Sequence, residues 1–329
     1  MELKHLQALL GIADTGSFSA AATTIGTVQS NVSAHVARLE RELDVQLVDR
    51  ASGRLTEEGE VVVGRARRVM NELSDMVADV TALRQEVVGT VRLGMIGTTG
   101  RWLVPQLFDV LRVRHPHIHL NVGEGGSTQL ELQLGTGQLD LAVVTLPLSG
   151  DEVIVAHLFD EDLVLVVPKE HPLAKETSLP LARLADMELL LPAPGTALRA
   201  EIDSAVGPAR VTLRPAMELD GVRMIASLAI DGYGPAILPA TAVPGHLRER
   251  FAIVPLEGFP RRRVGIAQRR RGLPSAPVRA VIDILGLVVS DPLAMPEGIH
   301  PTGIRPSSGP APGSTPDPAP GARPDSPKS

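Results

Sequence analysis

The chain has 329 residues, a net charge of -6, 43% hydrophobic and 2% aromatic content, and no cysteine. That length suits two or three domains at roughly 100 to 200 residues each. The missing thiols exclude disulfides and thiolate metal sites. An acidic total excludes a surface coated in basic residues, so contact with nucleic acid has to come from a local patch. Without a basic segment leading into an apolar run, or any uninterrupted apolar stretch of about 18 residues, the expectation is a cytoplasmic protein with no membrane association.

Leu3, Leu6, Leu9, Leu10 and Ala13 share one helical face, and Asp14-Thr15-Gly16 ends that helix. Ser17 is the expected N-cap of a second helix bearing Phe18, Ala21, Ala22 and Ile25, broken at Gly26. Thr27 is the expected cap of a third helix from about Val28 to Leu43, with Val32, Val36, Leu39 and Leu43 facing inward. Two short helices about a glycine turn describe a helix-turn-helix. The outward face of the third helix shows Gln29, Ser30, Asn31, Ser33, Ala34, His35 and Arg38, the side chains a major-groove reader needs.

Val45–Val48 and Arg54–Thr56 read as short strands of a wing around Asp49-Arg50-Ala51-Ser52-Gly53. A continuous helix is expected from Glu57 to Val87, where Val62, Ala66, Val69, Leu73, Met76, Val80 and Leu83 alternate at spacings of four and three. Such a stripe asks for a partner helix, hence a homodimer or homotetramer. A dimer would present two recognition helices about 34 to 36 Å apart, or a multiple of that.

Gly16 to Ala22, Gln29 to Ser33, Leu39 to Leu43 and Arg50 through Leu55-Thr56-Glu57-Glu58-Gly59 together resemble the N-terminal signature of LysR-type transcriptional regulators. The chain departs from it at Val28, where a capping Ser is common, at Val48, where a Phe is usual, and in a shorter wing. The resemblance implies double-stranded DNA as a partner. Gln29 and Asn31 would read an adenine edge, Arg38 and His35 bases or phosphates, and Ser30 and Ser33 the backbone. Arg50 and Arg54 would touch phosphate or the minor groove.

From about Gly89 to residue 290, strand and helix patterns alternate, which predicts parallel sheets with crossover helices. The resemblance implies an α/β effector domain of two lobes, built like a periplasmic solute-binding protein. Lobe I would span 89–163 and 264–290, and lobe II 164–263. The N-terminal unit would be 1–59 and the linker helix 60–88, while the Pro-, Gly- and Ser-rich 291–329 would form a disordered tail.

Ligands in such sheets bind outside the carboxyl ends of strands. Gly97-Thr98-Thr99-Gly100 opens a helix after the first strand, with Trp102 beside it. That arrangement suits an anion, most simply a carboxylate. Gly125-Gly126-Ser127-Thr128 repeats it, and Thr145 sits at the lobe crossover. Gly195, Thr196, Gly232 and Gly234 match positions that line the effector cleft in the family.

Other signals are weaker. The spacing of Gly94 to Gly100 is not a dinucleotide fingerprint. His115, His117 and His119 alternate without a carboxylate or thiol companion, so an exposed edge is expected and no metal or cofactor. Arg261 to Arg263 and Arg269 to Arg271 are expected to be solvated or at a subunit contact. Two rivals are a solute-binding-like sensor without DNA binding and an α/β enzyme. The second lacks a nucleophile–base pair, so no enzymatic activity is expected.

Overall fold

The computed structural model describes residues 1–302 except 85, 244, 271 and 294. Helices α1 (Leu3–Thr15), α2 (Phe18–Thr24) and α3 (Gln29–Leu43) open the chain. Gly16 ends α1 at φ 73°, and the Ser17 hydroxyl accepts from the Ala20 N–H as cap of α2. Both follow the sequence expectation. The cap of α3 does not: Val28 occupies it without a side-chain bond, and the Thr27 hydroxyl instead accepts from Asn31 Nδ2 at 3.0 Å. Leu9, Ile12, Ala21, Val32, Val36 and Leu39 close a common core. Gly11 lies so near Ala21 that a Cβ there would stand 3.2 Å away, which is why α1 and α2 carry small residues at their crossing.

The wing is smaller than the two strands expected. Only Val48 and Leu55 form a bridge. The Asp49 carboxylate accepts from the Ala51 N–H and the Ser52 hydroxyl, and Gly53 turns at φ 70°, so the chain reverses too tightly for further pairs.

Helix α4 (Glu57–Ala82) is about 39 Å long. It ends short of Val87, and Leu83 lies beyond it. Its apolar stripe divides. Val62 and Ala66 join the N-terminal core, whereas Val69, Met76 and Val80 are exposed together with Val77. The opposite side docks on the following domain: Asn71 Nδ2 donates to the Gly137 carbonyl at 2.9 Å, and Asp79 accepts from the Ala276 N–H at 2.7 Å. Arg92 joins Asn71 to Asp140, whose carboxyl is nonetheless pushed up by burial.

The remainder folds around two six-stranded sheets. Sheet I contains β1 (Gly89–Met95), β2 (Ile118–Glu124), β3 (Leu141–Leu146), β4 (Val153–Glu161), β11 (Arg262–Arg269) and β12 (Ile299–Pro301), in the order β12-β4-β11-β3-β1-β2. It is covered by α5 (Gly97–Arg114), α6 (Ser127–Thr136) and α9 (Ala276–Val289). Sheet II contains β5 (Leu163–Pro168), β6 (Leu179–Pro180), β7 (Glu188–Pro192), β8 (Arg214–Leu219), β9 (Ala236–Pro239) and β10 (Phe251–Glu257), in the order β6-β10-β5-β9-β7-β8, with α7 (Ala197–Val206) and α8 (Val222–Ile230).

Each sheet is mixed rather than parallel throughout. The chain passes between sheets after β4 and back before β11, and both of those strands run antiparallel to their neighbours in sheet I. The disorder expected from residue 291 does not hold over 299–301. Ile299, only 4% exposed, belongs to the sheet I core, and β12 pairs with β4. One apolar residue with a backbone ladder is enough to seat a short strand in a Pro-rich segment. Residues 303–329, expected to be disordered, lie outside the described residues, as does Arg271.

Candidate functional site

The face of α3 opposite its buried Val32, Val36 and Leu39 leaves Gln29, Ser30, Asn31, Ala34 and Arg38 exposed. Two of the expected contacts, Ser33 and His35, are only half-exposed. The His35 ring centroid lies 5.4 Å from that of His5, and His5 is 1% exposed, its Nε2 3.9 Å from Glu2 Oε1 and without a hydrogen bond among the described residues. Burial pushes the His5 imidazole down, which keeps it neutral.

Arg50 is engaged by the protein itself. Its fork donates to Ser33 Oγ at 2.9 Å and Glu40 Oε2 at 2.7 Å, and the guanidinium lies 5.3 Å from the Phe18 ring centroid. Glu40 also accepts from the Leu47 and Val48 N–H groups. Burial raises its pKa, but these donors and Arg50 outweigh that and hold the carboxyl below its usual range. Arg50 thus braces the wing against α2 and α3, with 43% of its side chain still exposed. Arg54 stays exposed at the wing.

In the second region the carboxyl ends of β1, β2 and β3 face those of β7 and β8. Glu124 at the end of β2 pairs with Arg223 at the start of α8 at 2.8 Å, and Arg262 pairs with Glu201 of α7 at 2.7 Å, so the two sets of strand ends meet across a cleft. Helices α5 and α6 point their N-termini into it from one side, and α7 does so from the other.

The expected anion contacts are partly taken up by the protein itself. Thr98 and Thr99 are buried, and Thr99 Oγ1 has no hydrogen-bond partner among the described residues. A Cβ on Gly97 would collide with the Glu124 carboxylate, which therefore covers the start of α5. Gly100 allows close packing on Met95. The Ser127 hydroxyl accepts from the Thr145 N–H at 3.0 Å, whereas Thr128 is exposed, with no bonded partner for its hydroxyl among the described residues. Thr196 caps α7 through the Arg199 N–H, and Gly195 turns before it at φ 86°.

Gly232 and Gly234 lie elsewhere. They precede β9, whose opposite end leads to Thr241 at the hinge, and β9 runs parallel to β7. They are placed at the end of sheet II away from the cleft, where their positive φ values turn the chain after α8. Strand direction, which a Gly-x-Gly pattern does not encode, decides this. Trp102 does not stand over the anion position either: its ring meets Phe159 edge-on at 5.4 Å.

Sequence reasoning missed a buried charge cluster at the two strands that join the lobes. Glu161 is fully buried and accepts from the N–H and hydroxyl of Thr241 and from Arg262 Nη1 at 3.1 Å. Arg262, with 10% of its side chain exposed, also donates to Glu201 and, at 2.9 Å, to the Thr145 hydroxyl. Read as part of an arginine run it looked solvated. The available signal was the acidic triplet Asp160-Glu161-Asp162, set between the apolar Leu158-Phe159 and the apolar run Leu163–Val167, although the sequence does not say which of the three is buried.

Comparison with known proteins matches residues 3–60 to the bacterial regulatory helix-turn-helix protein, lysR family, and residues 84–288 to the LysR substrate binding domain. The chain belongs to the LysR family of transcription regulators. It is 33% identical over 279 residues to a probable hydrogen peroxide-inducible genes activator of Streptomyces viridosporus, covering 81% of this chain and 88% of that one. It is 29% identical to the DNA-binding transcriptional dual regulator OxyR of Escherichia coli K12, covering 85% of this chain and 92% of that one. A full-length OxyR structure from Pseudomonas aeruginosa aligns with TM-score 0.71 and 27% identity, over 87% of this chain and 93% of that one. CbnR bound to its target DNA has the same fold at TM-score 0.63 and 20% identity, over 87% and 99%.

This LysR-family chain is therefore a DNA-binding transcription regulator with an effector-binding domain. The alternative of a sensor without DNA binding is set aside by the match over 3–60. Among the described residues no helix is long and apolar enough to cross a membrane.

Proposed function

We propose that this regulator reads its operator with Gln29, Ser30, Asn31, Ala34 and Arg38 of α3 and steadies itself on phosphate through Arg54. The observation that carries the reading is the contrast on α3 between its fully buried apolar face and its exposed polar one. An α-helix so presented fits the major groove, where Gln and Asn can pair bidentately with adenine. Residues 1–59 form the reading unit and 60–88 the linker. The exposed Val69, Met76, Val77 and Val80 of α4 are the face through which two copies pair. The effector domain covers 89–302 and works by binding rather than turnover.

The input in this reading is a small anion held non-covalently in the cleft, by Thr128, the N-termini of α5, α6 and α7, and Arg223 released from Glu124. Several relatives are named for hydrogen peroxide induction. This chain holds no cysteine, so oxidation of its own thiols is not open to it. Closure of the lobes on the anion would re-angle the two reading units and so change operator bending.

The test is operator binding by gel shift at fixed salt. Gln29→Ala is expected to cost about 1 to 3 kcal/mol and to relax preference at one base, while Arg54→Ala weakens all sequences alike and lowers the salt slope by about one. Unchanged affinity and preference in Gln29→Ala would refute the base-reading assignment.

A further inference from the structure

A cavity of about 590 Å³ lies outside the cleft, and the segment that follows the last family-matched residue builds one of its walls. Its sides are Trp102 of α5, Ile253 of β10, and Met295 from the stretch between α9 and β12. That stretch straps the two lobes together: β12 pairs with β4 in sheet I, while Glu297 reaches Arg248 beside sheet II at 2.9 Å. Gly298 lies against Ala240 and Asp162 at the hinge so closely that a Cβ there would stand 2.9 Å from the Ala240 Cβ.

Two guanidinium groups border the cavity. Arg248 is offset by Glu297, but among the described residues no carboxylate pairs with Arg101. The space is thus apolar on its sides with one uncompensated positive charge at its edge, and its volume lies within the range of small-molecule sites, roughly 300 to 1,000 Å³. Thr241 also lines it, and the N–H and hydroxyl of Thr241 are what hold Glu161 against Arg262. None of Thr98, Thr128 or Thr196 takes part, so this is a second place and not an extension of the cleft.

We propose that this cavity binds an amphipathic monocarboxylate, its hydrocarbon portion against Trp102, Ile253 and Met295 and its carboxylate on Arg101. A small inorganic anion would leave the apolar sides unfilled, and a neutral lipid would leave Arg101 without a counter-ion. Occupancy presses on Thr241, so the site bears on the hinge through Glu161 and Arg262, which also holds Glu201 and Thr145.

Trp102 is the one tryptophan in the chain, so its emission reports on the cavity wall directly. The full-length protein is titrated with decanoate at pH 8, with decanol and acetate in parallel arms and calorimetry as a second readout. Decanoate is expected to bind saturably at one per chain, with decanol and acetate each about tenfold weaker or more. Arg101→Gln should weaken decanoate by about tenfold and leave decanol unchanged. Equal affinity for decanoate and decanol, no saturable binding by either readout, or an indifferent Arg101→Gln would each overturn the proposal. Gel shifts of the wild-type protein and of the same variant on operator DNA run alongside: retained DNA binding with weakened decanoate binding supports the site, and DNA binding lost together with decanoate binding shows a general structural defect and overturns the assignment of the carboxylate to Arg101.

Discussion

Two arginines in this chain make nearly the same set of bonds in two different surroundings. Arg50 joins a serine hydroxyl and Glu40 at the wing, with 43% of its side chain exposed. Arg262 joins a threonine hydroxyl, Glu161 and Glu201 at the lobe hinge, with 10% exposed against a Glu161 that water does not reach. Water replaces the partners of Arg50 at little cost, whereas loss of Arg262 leaves a buried charge uncompensated. Burial, and not the number of hydrogen bonds, decides which arginine the fold depends on.

The largest expected effect follows at the hinge. Arg262→Ala should destabilise the effector domain by about 3 to 5 kcal/mol in urea unfolding, and adding Glu161→Leu should recover part of that, because the orphaned charge is then gone. Without that recovery, the loss comes from packing and the comparison fails. At the wing, Arg50→Ala should cost under about 1 kcal/mol and still weaken operator binding by loosening the wing. A loss as large as that at Arg262 would mean that Glu40 is less hydrated than its neighbours imply.

The smallest effect depends on pH. His5 is buried neutral with its pKa below the ordinary 6.5. The folded state therefore binds fewer protons than the unfolded one, and the stability present above pH 6.5 declines as pH falls through that value. His5→Gln should flatten the decline in thermal melts of the full chain between pH 5 and pH 7, and a variant with the same slope would clear His5 of the effect.

The N-terminal unit was the most legible part because its signals are local. Ser17 caps the helix that follows it, Gly16 takes the left-handed turn, and the alternation of Val32, Val36 and Leu39 with polar neighbours fixes which side of α3 faces out. Even there, Thr27 and Val28 differ by one place at the cap, since either leaves the backbone able to start a helix and the crossing with α2 chooses. Gly195 and Thr196 were legible for the same local reason. Gly232 and Gly234 were not, as their relation to the cleft depends on which way β9 runs.

By itself, then, the sequence determined the helix-turn-helix with its polar outward face, the alternation that makes an α/β effector domain, and the absence of thiol chemistry. Only the tertiary structure decided that Arg50 is bonded to Ser33 and Glu40, that Glu124 covers the start of α5, that residues 299–301 complete a sheet, and that Glu161 and Arg262 meet at the hinge. Such pairings join residues as far apart as Phe159 and Pro301, and their energies depend on how completely the fold removes water from between them.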